Sequence, residues 1–208
     1  MKILIEQGGI VIYPLLTLSV VTLAIIIERF FYFIRIRKNI PEKVMSKIKN
    51  NLQRANSMDE ISFLKNSPNP ICHVLYNGIV AWRENSLEIE RAMEETKLIE
   101  FPKMEKNLTM LHFIAKISPS LGLLGTVTGM IKTFHFLSLD IEPQLLAQGI
   151  SEALITTAFG LSLSIPAFAA YYYFMNKIEN LIKNAEKREL ELINHIQKLG
   201  NKDAQIQA

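Results

Sequence analysis

The sequence predicts an all-α, polytopic membrane protein with three transmembrane helices and long helical extensions outside the bilayer. Three stretches carry no charged residue, namely residues 7–27, 117–131 and 153–175. A membrane-crossing helix needs about 20 apolar residues, and the second stretch reaches that length, to residue 139, if Lys132 extends its amine towards the membrane surface. Charged residues make up 21% of the chain and lie mainly between and after these stretches, which is typical of a membrane protein.

The distribution of Lys and Arg predicts the orientation of the chain. Fourteen of the 23 basic residues lie between Arg29 and Lys106, six follow the third stretch, and "LSLDIEPQLLAQG" between the second and third stretches has none. Because basic loops stay on the cytoplasmic side, residues 28 to about 112 and the C-terminal tail are expected in the cytoplasm. The net charge of +3 therefore reflects topology, and we expect no nucleic-acid partner.

The first span is predicted over residues 10–30, after a short periplasmic segment of residues 1–9. A cleaved secretory signal would be an alternative at this place in the chain. The long apolar stretch is followed by "IERFFYFIRIRK" where a small-residue cleavage site would be needed, so we expect the span to be retained.

Residues 31–112 are predicted to form a cytoplasmic helical region. "NIPEKVMSKIKNNLQRA" has an apolar face and a basic face, and the basic face is expected to be solvated rather than to lie on anionic lipid. Ser57 and Glu60 have the spacing of a capping box, "NSPNP" predicts a break, a helix is expected over Ile71 to Arg83, and a longer one from Asn85, capped by Glu88.

The remaining segments follow from helical periodicity. The second span is predicted over 113–138, a periplasmic hairpin over 139–149, the third span over 150–176, and a cytoplasmic helical tail over 177–208. Two faces recur at steps of three and four residues. They are Phe101, Met104, Leu108, Leu111, Ala115, Ser118, Gly122, Gly125 and Gly129, with bends expected at Pro102 and Pro119, and Ile178, Ile182, Ala185, Leu192, Ile196 and Leu199.

Small residues form a stripe on each of the last two spans. They are Gly122, Gly125 and Gly129 on the second, and Ala153, Thr157, Gly160, Ser164 and Ala167 on the third. Lipid gives helices no hydrophobic reason to associate, so small residues that permit close approach mark contact faces. These faces either pack within one chain or bring several chains together, and the sequence leaves both alternatives open.

Polar residues accompany these stripes. Glu152 stands at the head of the third span, Thr156 and Thr157 follow, and Thr126 lies in the middle of the second. A carboxylate costs about 2.5 to 3.5 kcal/mol at the bilayer centre and less near the interface, where Glu152 is expected. Thr126 could meet the threonines of the third span or bond to a carbonyl of its own helix. Since three spans hardly enclose a pore, a polar track implies several copies around an axis.

Other chemistry finds little support in the sequence. No nucleophile, base and orienting group occur as a set, so we expect no enzyme, and neither a cofactor nor a metal site is predicted. The four histidines lack ligand spacing, which favours surface or packing roles for His73, His112, His135 and His195. The one cysteine, Cys72, excludes an internal disulfide and is expected to be a core thiol.

"PSLGLLGTVTGMIKTF" (119–134) and "GISEALITTAFGLSLSIPA" (149–167) together resemble the two signature spans of the MotA/TolQ/ExbB proton-channel family. "GGIVIYPLLTLSVVTLAIIIERFFYF" is similar to the first span of ExbB-type members. The resemblance covers the three spans, about half of the chain. In the cytoplasmic helices it extends only to length and character, and Tyr172 stands where relatives usually have Asn.

The resemblance implies an inner-membrane motor subunit that couples proton flow to work at the outer membrane. Such subunits form a pentamer around the single-span helices of an ExbD-like dimer, which brings a titratable aspartate, and they work with a TonB-like protein. Thr126 and Thr157 match the family's pore-lining threonines, and Glu152 matches its acidic residue at the head of the third span. The small face would then permit tight packing around the axis.

Three other functions remain open beside this one. They are a TolQ-like subunit of the Tol-Pal envelope system, a free-standing ion channel, and a structural membrane scaffold. The number of spans argues against a MotA-type flagellar stator, which usually has four.

Overall fold

The computed structural model describes residues 9–36, 42–53, 61–84, 88–137 and 143–206, and all regular structure in these ranges is helical. The helices are α1 (Ile12–Ile36), α2 (Glu42–Gln53), α3 (Ser62–Lys65), α4 (Pro70–Arg83), α5 (Ile89–Glu105), α6 (Leu108–Leu137) and α7 (Pro143–Ile206). The predicted all-α class is therefore confirmed for the described residues.

Three of these helices are long and apolar enough to cross a membrane: Ile12–Ile36, Leu108–His135 and Leu146–Leu199. The most apolar part of each has only 22%, 33% and 33% of its residues buried inside the chain. Most of their apolar surface must therefore be covered by lipid or by other protein chains. The three long apolar helices that the sequence predicts are therefore present, whereas the bounds of the spans and their orientation stay predictions.

The described chain divides into two compact units. The first comprises residues 1–30 and 107–175, and the second comprises residues 31–106 and 176–208. In the first unit the predicted small and apolar positions of α6 are buried. They are Leu108, Leu111, Ala115, Ser118, Gly122, Gly125 and Gly129.

The second unit is built on α4, α5 and the later part of α7. Asn69 caps α4 by accepting a hydrogen bond from the Ile71 amide at 3.0 Å, and Pro70 occupies the first turn, where its missing N–H costs nothing. The predicted helix over Ile71 to Arg83 and the break before it are thus confirmed. The tail seam is buried at Ile178, Ala185, Leu192 and Ile196.

Two side chains of this unit have shifted pKa values. Burial, the largest effect on Lys97, would lower its pKa, but hydrogen bonds and charges from Glu189 at 2.8 Å and Glu94 outweigh it and raise the pKa. Burial raises the pKa of the Cys72 thiol, and a hydrogen bond with Ser67 opposes the rise only in part. Cys72 is therefore the buried thiol that the sequence predicts.

The junction between α5 and α6 differs from the prediction. The face predicted to run without interruption from α5 into α6 is broken at Lys106–Asn107. Pro102 and Pro119 both lie inside helices, and the bends expected at them stay predictions. Asn107 adopts φ 65°, a left-handed conformation that asparagine tolerates better than most residues. Its side-chain amide donates to Glu28 of α1 at 2.6 Å, which holds the turn.

Two further boundaries are corrected. The helix expected from Asn85 begins at Ile89, and Glu88 occupies the cap position without a side-chain capping bond. The hairpin predicted over 139–149 is partly helical, because α7 begins at Pro143. The capping box of Ser57 and Glu60 lies outside the described residues.

Candidate functional site

Helices α6 and α7 approach each other closely through glycines. A methyl group built on Gly160 would lie 2.5 Å from the carbonyl oxygen of Ser118, and one built on Gly122 would lie 3.0 Å from the Cα of Thr157. The atoms that would be met are backbone, which has no rotamer to move away. Only residues without a Cβ permit this approach at these two positions.

The contact continues along both helices. Gly125 packs on the side chain of Thr156, and a Cβ on Gly129 would lie 2.9 Å from that of Ala153. At the other end, the Ser164 hydroxyl donates across the contact to the Ala115 carbonyl at 2.6 Å. Of the two alternatives that the sequence leaves open, the described contacts are those of packing within one chain. The packing of several copies around an axis, which the resemblance implies for this face, stays a prediction.

The two threonines at the centre of this contact meet. Thr126 Oγ1 and Thr157 Oγ1 lie 3.0 Å apart, and the Thr157 hydroxyl donates to the Gly122 carbonyl at 2.9 Å. Thr126 Oγ1 also lies 2.9 Å from the carbonyl of Leu123, in its own helix. Thr126 therefore has both kinds of partner that the sequence allows, a threonine of the third span and a carbonyl of its own helix.

A count of protons shows what this pair can offer. Each hydroxyl has one proton and two lone pairs. The Thr157 proton goes to the Gly122 carbonyl, so the Thr126 proton goes to either Thr157 Oγ1 or the Leu123 carbonyl. Both side chains are partly exposed. The pair thus presents hydrogen-bond acceptors at the surface of the helix pair and has no proton left to donate.

Thr156 occupies a different environment. Its side chain is 1% exposed, and its hydroxyl donates to carbonyls of its own helix, at 3.0 Å to Glu152 and 2.9 Å to Ala153. Its predicted place in a proton path stays a prediction, and its described contacts are those of a packing residue.

Glu152 forms an ion pair that the sequence did not indicate. Its carboxylate lies 2.8 Å from the Lys132 amine of α6, and its side chain is only 16% exposed. Gly9, with φ +59°, packs against this carboxylate, where any side chain would collide with it. The contacts of Gly125 with Thr156 and of Gly129 with Ala153 fix a register that brings Lys132 and Glu152 together, and this register is not given by the sequence alone.

No group of three or more His, Cys, Asp or Glu side chains in the described ranges could hold a metal ion. The site therefore consists of a close helix contact, an acceptor pair at its centre and an ion pair towards one end.

Comparison with known proteins agrees with this architecture. The profile of the MotA/TolQ/ExbB proton channel family matches residues 66–187. The ExbB homolog of Methanothermobacter thermautotrophicus is 26% identical over 181 residues, and the alignment covers 87% of this chain and 65% of that protein, which is less than two thirds of its length.

Two further relatives cover different shares of the chain. The ExbB-like 3 protein of Synechocystis is 33% identical over 163 residues, with 76% of this chain and 77% of the relative covered. The Tol-Pal system protein TolQ of Pseudomonas aeruginosa is 41% identical over 96 residues, with 45% and 42% covered. The family profile matches more than half of this chain, which therefore belongs to the MotA/TolQ/ExbB proton channel family.

Proposed function

We propose that the chain is an ExbB-type proton-channel subunit of the bacterial inner membrane. In this proposal five copies form a ring around an ExbD-like single-span protein, and together with a TonB-like protein they use the proton motive force to energise transport across the outer membrane. The family membership and the relatives named ExbB support it. The placement of Lys and Arg supports a periplasmic N-terminus and a cytoplasmic C-terminus.

The observation that carries the proposal is the Thr126–Thr157 pair. Its free acceptors lie where an apolar helix pair would otherwise offer none, and they can hydrogen-bond to a hydrated proton or to a protonated carboxyl group on a guest helix. Neutral hydroxyl groups make these hydrogen bonds without carrying a fixed charge. A fixed charge would bind a moving partner too strongly. Since three helices of one chain cannot enclose a pore, the pair requires several copies around an axis to act.

Glu152 and Lys132 are assigned to the outer end of the path. The pair neutralises both charges near the periplasmic interface, so the carboxylate can remain in place at a moderate cost. Thr156 and the glycines are assigned to the contact between α6 and α7 that fixes the positions of the two acceptor threonines.

The test is to replace Thr126 and Thr157 by valine, which keeps the shape of threonine and removes the hydroxyl. Thr128→Val is the matched control, because the Thr128 hydroxyl bonds only to the Gly125 carbonyl of its own helix, at 3.1 Å, among the described contacts. Each variant is expressed with its ExbD-like and TonB-like partners, and proton-dependent uptake and assembly are measured. We expect normal assembly in all variants and a loss of uptake in the double variant alone. Full uptake by the double variant would contradict the pore role.

A TolQ-like role in envelope maintenance is the second candidate. The 41% identity to TolQ of P. aeruginosa over 96 residues favours it. Complementation separates the two: the chain is produced in cells that lack either ExbB or TolQ, and the defect that it repairs identifies the system. Proton conductance of the purified chain in liposomes without partners would instead favour a free-standing channel.

A further inference from the structure

An aromatic cluster surrounds a histidine near the beginning of α6. The His112 ring centroid lies 4.5 Å from that of Tyr171 and 5.9 Å from that of Phe168, both in α7. His112 Nδ1 is buried and has no hydrogen-bond partner. A buried ring nitrogen of this kind normally has a partner, because leaving it unpaired costs free energy. Packing against the aromatic rings therefore leaves this nitrogen without a partner, a property that His112 shares with His195 in the tail.

The cluster lies on the same side of the helix pair as the acceptor threonines. His112 precedes Thr126 by 14 residues, and Tyr171 follows Thr157 by 14 residues. Fourteen residues make about 3.9 helical turns, so each pair of positions differs by only about 40° around its helix and by about 21 Å along it. The two sites thus mark one face of the helix pair at two depths.

We propose that His112 is a proton-relay residue at the inner end of this path. The inference rests on the proposed function, which places the beginning of α6 on the cytoplasmic side. Imidazole is the side chain that changes its charge between about pH 5 and pH 8, and either ring nitrogen can take up or release a proton.

The relay conserves protons and charge. The neutral ring accepts a proton at Nδ1 from water in the path and becomes an imidazolium ion. It then releases the proton on Nε2 to cytoplasmic water. A rotation of the side chain turns the nitrogen that still carries a proton towards the cytoplasm and the bare nitrogen towards the path, so each cycle moves one proton. Among the described contacts of the ring, the titratable group is the phenol of Tyr171 on α7, and the exposed amine of Lys116 lies one turn further along α6. Neither supplies a carboxylate that would hold the imidazolium permanently.

The experiment compares His112→Gln, His112→Ala and His195→Gln in the complete complex. Glutamine keeps polar groups but cannot be protonated in this range. His195 is the matched control, because its Nε2 is also buried without a partner but lies in the tail beyond the third span. Proton-driven uptake is measured between pH 5.5 and 8.5, with and without added imidazole.

We expect His112→Gln to lower uptake about tenfold or more. This is less than the 10²–10⁴-fold loss of rate that is typical when a positioned acid–base group is removed, because water can bypass the ring. Its remaining uptake should lose the wild-type pH profile, and imidazole should restore part of the uptake of His112→Ala. His195→Gln should keep the wild-type rate and profile.

An unchanged pH profile in His112→Gln, or no rescue of His112→Ala, would overturn the relay. If the wild-type complex drives uptake and only the Thr126 and Thr157 variants abolish it, the proposed function stands and the relay fails. If the wild-type complex drives no proton-dependent uptake, the proposed function itself fails.

Discussion

Replacing Gly160 by alanine should separate α6 from α7. The added methyl group would lie 2.5 Å from the Ser118 carbonyl oxygen and 3.1 Å from the Cα of Gly122. Ordinary contact distances are about 3.5 Å or more, so the helices must move apart by about 1 Å. Because the atoms opposite are backbone, no side-chain rotation can relieve the collision.

The separation has consequences for the hydrogen bonds that cross the contact. The bonds from Ser164 to Ala115 (2.6 Å) and from Thr157 to Gly122 (2.9 Å) would reach or pass the limit of useful length. Each such bond between membrane helices contributes about 0.6 kcal/mol, and an extra methyl in a packed contact costs about 1–3 kcal/mol. Alanine's higher helix propensity returns only about 0.5–1 kcal/mol, so we expect a net loss of about 2 kcal/mol.

The assay is the free energy of SDS-induced unfolding of the purified protein in mixed micelles. Gly78→Ala is the matched control, because its methyl group would meet only the flexible side chain of Met93 and gains the same helix propensity. We expect this control to lose less stability than Gly160→Ala, because the buried Met93 side chain can shift where the backbone cannot. If Gly160→Ala unfolds at the wild-type midpoint, α6 and α7 do not pack as closely as described, and the placement of the threonine pair loses its basis.

Three further predictions concern charges and the thiol. Lys132→Glu should lower stability by up to about 1 kcal/mol, and adding Glu152→Lys should restore most of it in the same unfolding assay, unless the pair is not formed. The pKa of Lys97 is raised in the folded chain, so its ion pair with Glu189 should contribute its full stabilisation at every pH below 10.5, the ordinary pKa of lysine. This contribution should be lost only as the pH rises through the higher pKa of the folded chain. Comparing wild type with Lys97→Met between pH 7 and 11 tests this, and a stability difference already lost by pH 9 would contradict it. Cys72, buried and with a raised pKa, should react with iodoacetamide at pH 8 on the order of tenfold or more slowly than in the unfolded chain, as measured by mass spectrometry.

Helix positions were predictable where local chemistry decides them. The apolar lengths identify the three spans, and the Asn69–Pro70 start identifies α4, because a cap and a first-turn proline act within a few residues. The helix end at Lys106 was not predictable in this way, and the prolines at 102 and 119 do not mark it. A proline removes one helical hydrogen bond, and its surroundings can tolerate that loss, so the residue alone does not fix a break.

The partners of each helix face were not predictable in the same way. A stripe of small residues shows that something packs closely against it, but the same stripe suits an intrachain and an interchain contact. The contact of Gly160 with Ser118 shows the intrachain packing, which depends on the register of the two helices, and contacts of the stripe with other copies stay a prediction. The pairing of Lys132 with Glu152 depends on that same register, so the sequence could suggest only that each charge lay near a membrane surface.

The direction of the hydroxyl protons in the first unit has a consequence for ion selection. The partly exposed hydroxyls of Thr126, Thr128 and Thr157 all have carbonyl acceptors within the helix pair, whereas the buried Ser118, Thr133 and Thr156 donate to their own helices and reach no surface. Exposed hydroxyl groups that already donate their protons to carbonyls present only oxygen lone pairs, the negative ends of their dipoles, to an approaching ion. Chloride or phosphate would find no hydrogen-bond donor there to replace its hydration shell, whereas a hydrated proton would find acceptor oxygens. We therefore expect assembled copies of this chain to exclude anions without any charged filter.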